Sequence, residues 1–344
     1  MIYLILLFIF IFFSIKECIY NRRNWLLTLF ICIILVLFAS LRNQVGTDWV
    51  AYYNYYKYGV NNVEVGYATL NNFFSSLELP YNFFLLIINL ISIILLYKSS
   101  KELSAIPALS LLIYYSDLYL YFNFSGMRQA IALSITCFAL IFCFGKKRNL
   151  FKFLGLILCA MSFHLSSAIF IITFFIPRKK FDKKHYIIFL ISLFFFSSLI
   201  YLASSLLTGV FAARAEFYLE KQEQAGNILS LFFIGIVRRL IPIVIIIFYG
   251  RKSFFKDDLS AYLFNLYIIG VGIFATSYLI SPDIGVRLSA YFTILEIFIW
   301  ANLIAFIKKI NVKIVVLIII YIVCTYKICT YIKYPSYEYN SIIG

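Results

Sequence analysis

Uncharged apolar stretches of membrane-crossing length recur along the whole chain. Trp25 to Leu41 runs for seventeen residues without a charge, and comparable runs follow through the last apolar segment, 313–331. A hydrocarbon core about 30 Å thick needs roughly 20 such residues per helical crossing. Of the 344 residues 63% are apolar and 13% charged, and mean hydropathy is +0.94. These figures exclude a water-soluble domain. A transmembrane barrel would show short alternating segments instead. The expectation is an all-α polytopic membrane protein, with 1–344 as a single integral membrane domain. Ile2 to Ile15 lacks a basic leader and a small-residue cleavage site, so it reads as a first span rather than a removed signal.

Apolar segments at roughly 2–15, 25–41, 81–97, 104–122, 128–144, 185–207, 229–249, 260–280, 289–307 and 313–331 predict about ten full transmembrane helices. Twenty of the thirty basic residues fall in six loops that alternate along the chain. Placing those loops in the cytoplasm puts both termini outside. The net charge of +15 is therefore read as topology and contact with anionic membrane lipid, not as nucleic-acid binding. Leu150 to Ile176 interrupts the alternation. Apart from Lys152, which belongs to the basic cluster at its start, this 27-residue run is apolar and broken only at His164-Leu-Ser-Ser. A second basic cluster follows its end. One straight helix would be about 40 Å long, too long for a single crossing. A short-helix hairpin at 150–176, or a pair of thin spans, with His164 at the break, is predicted instead.

Two polar intervals are expected on the outer face. One is the loop 42–80, rich in Asn and Tyr. The other is 208–228, whose apolar residues recur at helical spacing and predict an amphipathic segment at the interface. Arginine is distributed unevenly between the faces. It supplies five of the twenty inner basic residues but four of the seven outer ones: Arg42, Arg128, Arg214 and Arg287. Topology disfavours positive charge outside, so these four point to an anionic ligand held by guanidinium forks; headgroup contact is the bland alternative. Arg128 enters a span just after Ser125-Gly126, where free N–H groups already favour an anion. Arg287 follows a Pro/Gly loop in a similar way.

Trp49, Tyr52 and Tyr56 beside Arg42 and Asp48 suit a sugar carried on a phosphate, or else a plain aromatic belt. His164 is a candidate general base, with Asp48 and Glu64 as competitors. The mid-span pair Arg238 and Arg239 would hold a second phosphate or pair with Glu296. The seven cysteines form no CxxC, the two histidines are far apart, and no P-loop, GxGxxG or DxD occurs. No metal site and no cofactor is expected.

Taken in order, Arg42…Val45-Gly-Thr-Asp48-Trp49…Tyr52…Tyr56, Glu64-Val-Gly-Tyr67, Met127-Arg-Gln-Ala130, His164-Leu-Ser-Ser-Ala168, Gly285-Val-Arg287 and Tyr334-Pro-Ser-Tyr337 resemble the EpsG family of Wzy-like polymerases. Ser336 departs from a tighter Pro-Tyr, and the tail carries no assigned role. The resemblance implies a GT-C-like enzyme of the bacterial inner membrane. It would join undecaprenyl-pyrophosphate-linked repeats into O-antigen, capsule or exopolysaccharide at the periplasmic face. Arg128, Arg214 and Arg287 would then hold pyrophosphate, and Arg42 would orient substrate or share that load. His164 or Asp48 would be the base, and Trp49, Tyr52 and Tyr56 would line the sugar path. A chain-length regulator is a partner of the kind implied, though no residue identifies one. A flippase for lipid-linked sugars and an O-antigen ligase are the alternatives.

Overall fold

A computed structural model describes residues 1–20, 22–60, 63–144, 147–206 and 228–342. Among them every regular element is helical, and extended pairing is confined to one bridge, Arg42 with Ser341. The chain forms two compact units, 1–174 with 297–344, and 175–296.

The first unit holds α1 (Ile2–Tyr20), α2 (Trp25–Ser40), α3 (Trp49–Tyr58), α4 (Val65–Ser76) and α5 (Tyr81–Leu103). Next comes α6 (Pro107–Tyr114), whose backbone continues as a π-helix over Tyr115–Ser125, and then α7 (Met127–Ala139) with a 3-10 turn at Leu140–Cys143. It also holds α8 (Leu150–Phe163) and nearly all of a 3-10 helix at Leu165–Phe175. Local chemistry starts these helices where the sequence changes character. The side chains of Asn24 and Asn149 accept from the N–H groups of Leu27 and Lys152, and Pro107 opens α6. Every residue of α6 is buried, so this helix lies at the centre of the unit.

The second unit contains α9 (Lys183–Leu206), α10 (Ile228–Ile245), α11 (Asp258–Ser277) and α12 (Pro282–Thr293). The Asp257 carboxylate caps α11 by accepting from Ser260 N–H. Then α13 (Glu296–Phe306) and α14 (Ile310–Ile332) return the chain to the first unit.

Among the described residues each of the ten expected apolar segments is helical over most of its length, but fewer are both long and apolar enough for a crossing. Among the described residues five helical stretches are long and apolar enough: Ile2–Tyr20, Tyr81–Leu103, Ile228–Tyr249, Asp258–Ser277 and Ile310–Ile332. The pair Pro282–Thr293 and Glu296–Phe306 makes six if it is one broken span. The segment at 104–122 changes from α to π geometry at Tyr115, and Met127–Cys143, which tightens to 3-10 geometry at Leu140, stays among the shorter apolar helices, as does Trp25–Ser40. The interval 42–80, expected on the outer face, holds two helices, α3 and α4, which composition alone does not suggest. The segment expected to be amphipathic at 208–228, with Arg214, lies at 208–227 outside the described residues.

The stretch 150–176 turns back on itself. The Phe153 ring lies 5.6 Å from that of Phe174, and the Arg148 guanidinium sits 4.4 Å above Phe174. His164 stands at the break in extended backbone, φ −158 and ψ 110. The arms differ in residue number, with 14 in α8 and 11 in the 3-10 helix. At about 1.5 and 2.0 Å per residue they have nearly equal lengths, about 21 and 22 Å.

At one end of the first unit the start of α1, the segment after α2, the π-helix terminus and the C-terminal tail converge. Gly46 N–H donates to Ser336 O, the hydroxyls of Tyr337 and Ser125 share a hydrogen bond, and Tyr3 donates to Tyr337 O. Gly46 has φ +108, and a Cβ there would strike the carbonyl of Phe124, so glycine is required at this crossing. The Tyr334-Pro-Ser-Tyr337 tail thus closes this end of the unit.

Candidate functional site

Glu64, Arg128 and His164 come from three separate parts of the chain and meet in the first unit. Glu64 precedes α4 at its N-cap position, yet its carboxylate makes no cap bond. One oxygen accepts from Arg128 at 2.5 Å, and the other lies 3.0 Å from His164 Nδ1. Arg128 is the second residue of α7, in the first turn after Gly126, as the sequence implies. Its Nε donates to the Tyr52 hydroxyl at 3.4 Å. All three side chains are between 18% and 24% exposed, so the site is recessed but open.

The contact rests on a close approach of backbones. A Cβ on Gly66 would collide with the Ser162 side chain and lie 2.8 Å from its carbonyl oxygen. Glycine two residues after Glu64 thus lets α4 settle against the end of α8, two residues before His164. Burial alone would raise the Glu64 carboxyl. The hydrogen bond with His164 and the charge of Arg128 outweigh it and hold the group at about 2. The carboxylate is therefore ionised at neutral pH, fixed between a guanidinium and an imidazole. Among the described residues His164 Nε2 makes no hydrogen bond, which leaves one ring nitrogen able to exchange a proton with a ligand.

Other candidates have different surroundings. Arg42 is fully buried. Its guanidinium donates to the carbonyls of Ala39, Asn123 (3.1 Å) and Phe124 (3.3 Å), and it stacks 4.7 Å from the Phe124 ring. These carbonyls end α2 and the π-helix, so Arg42 satisfies two helix C-termini. This placement gives it a structural task. Asp48 occupies the half-buried N-cap position of α3 and accepts from the Thr47 hydroxyl at 3.1 Å. Trp49 and Tyr56 are buried as packing. Trp49 stacks on Tyr53, and the Tyr56 hydroxyl donates to the carbonyls of Phe74 and Leu79. Of the three aromatic candidates, Tyr52 is the one that touches Arg128.

Arg287 belongs to the second unit, where Asp283, one turn earlier on α12, holds its Nε at 2.8 Å. Arg238 lies 3.8 Å from Glu296, and Arg239 stacks 3.7 Å from Phe274. Tyr267 ties this cluster together by donating to Glu296 and to the Arg239 carbonyl. Tyr67 is a site neighbour that the sequence reading leaves without a role. It is fully buried beside Tyr52, and among the described residues its hydroxyl has no hydrogen-bond partner. Its place at the end of the Glu64-Val-Gly-Tyr67 stretch is the available signal. Among the described residues no three His, Cys, Asp or Glu side chains gather as a metal ion would require.

The recurring apolar helices mark a multi-pass membrane protein. The EpsG family model matches residues 25–341, so the chain belongs to the EpsG family. This is a Wzy-like polymerase family, associated with glycosyltransferase-like polymerases, and membership points to a polymerase-type function in exopolysaccharide biosynthesis. Comparison with curated proteins and with solved structures gave no match.

Proposed function

We propose that the protein polymerises undecaprenyl-pyrophosphate-linked oligosaccharide repeats at the periplasmic face of the bacterial inner membrane, by metal-independent inverting transfer. The observation that carries this reading is the Glu64 carboxylate between His164 and Arg128, with His164 Nε2 left over. A hydroxyl of the incoming repeat attacks the anomeric carbon of the growing chain. The new C–O bond forms as the bond to pyrophosphate breaks, and the lipid pyrophosphate leaves with the electron pair. His164 Nε2 takes the hydroxyl proton while Glu64 holds the Nδ1 side and stabilises the imidazolium. Arg128, anchored through Nη1 and Nε, offers Nη2 to the phosphate oxygens on which charge develops. Attack from the face opposite the leaving group inverts the anomeric centre.

The test supplies purified protein with lipid-linked repeats and resolves the products by length. A ladder is expected. Unchanged length, with sugars moved across the bilayer, would overturn the reading in favour of a flippase. Transfer that occurs only when a second acceptor lipid is added would indicate a ligase.

A further inference from the structure

The first unit carries a second polar cavity, lined by the end of α5, the end of α7 and the start of α8, on loops expected in the cytoplasm. It encloses about 620 Å³. Its walls bear Lys98, Lys101, Lys147, Arg148 and Lys152, with Glu102 as the acidic residue. Glu102 is taken by Lys147 at 2.6 Å, and Arg148 is stacked on Phe174. Among the described residues the other three ammonium groups have no carboxylate partner. Each lies over an aromatic face: Lys98 over Phe138, Lys101 over Trp25 and Tyr97, and Lys152 over Phe142.

Retention of loops in the cytoplasm needs only positive charge near the ends of spans. It does not require cations from two loops to converge on one cavity. Nor does it require an aromatic floor, which gives these cations a fixed position without neutralising them. We propose that this cavity binds a phosphate group, presented either by an anionic phospholipid headgroup or by a soluble phosphate compound. The three ammonium groups without a carboxylate hold the phosphate oxygens as point charges. Phe138 and Phe142 pack against the carbon atoms next to the phosphate.

Native mass spectrometry of the full chain in detergent tests this with phosphatidylglycerol, phosphatidylcholine and inorganic pyrophosphate. The protein is expected to retain phosphatidylglycerol in preference to phosphatidylcholine. The triple variant K98Q/K101Q/K152Q should lose that preference by roughly a hundredfold. The control K308Q/K309Q, which removes basic charge from another expected inner loop, should keep it. Displacement of phosphatidylglycerol by pyrophosphate would support the site and assign it to a soluble phosphate; no displacement would assign it to lipid. Equal retention of the two lipids by the unaltered chain with no binding of pyrophosphate, or equal loss in both variants, would overturn the proposal. Should the triple variant fail to fold, K152Q alone is read against K309Q in the same way.

Discussion

Two arginines enter apolar helices from Gly- or Pro-containing loops, and the sequence presents them as equivalents. The structure separates them. Arg287 is held by Asp283, a neighbour on its own helix, an arrangement any isolated helix could form. Arg128 is held by Glu64, 64 residues earlier, and Glu64 also holds His164, 100 residues later. The first pair is local and partly exposed. The second exists only if three parts of the chain are folded correctly, and among the described residues it leaves an imidazole nitrogen without a partner. Charge brought together across such separations is more informative about chemistry than charge paired within one turn.

The strongest way to break this contrast is Glu64→Gln. It removes the carboxylate from both partners, and elongation should fall about a thousandfold in the ladder assay while the chain still folds. His164→Asn should lower the rate roughly a hundredfold, and a rate unchanged at neutral pH would remove His164 as the base. Arg128→Lys keeps the charge but loses the fork, and a decrease of about tenfold to a hundredfold is expected. If Arg287→Lys produced an equal decrease, the distinction drawn between the two arginines would fail.

Two smaller effects sharpen the contrast through stability. Gly66→Ala should destabilise the protein by about 1–3 kcal/mol in a reversible unfolding measurement, because the new Cβ meets backbone at Ser162. Asp283→Asn should change it by about 0.5 kcal/mol or less.

Acidity gives a further comparison. The folded Glu64 carboxyl is held at about 2, below its ordinary 4.5. Its stabilising contribution is therefore complete above about 4.5 and is lost as pH falls towards 2. The stability difference between the unaltered chain and Glu64→Gln should stay constant from neutral pH down to about 4.5, then close. A difference already closed at pH 4.5 would contradict the placement of Glu64 against the Arg128 guanidinium and the His164 imidazole.

Much of this is legible without coordinates. Apolar runs mark the helices because a bilayer demands length and uniformity, and the break at His164 is visible because the run is too long for one crossing. Glu64, Arg128 and His164 are each identifiable by residue type and position. Their meeting is not, because nothing in the sequence shows that α4 packs against the end of α8. Arg42 is ambiguous for a related reason. A guanidinium suits exposed helix carbonyls as well as phosphate, and only its burial distinguishes the two. Where α geometry gives way to π or 3-10 geometry is hidden, because these turns share one apolar composition while rising by different amounts per residue.

The matched arms of the 150–176 hairpin make chain length itself a determinant of chemistry. Deleting one residue from either arm would draw the imidazole back by about 1.5–2 Å, while Glu64, carried on another element, would stay in place. Such a change leaves hydropathy and charge almost untouched, yet it opens the 3.0 Å contact that joins the two side chains. Related chains are therefore expected to tolerate wide variation in which apolar residues fill these arms, and very little in how many there are.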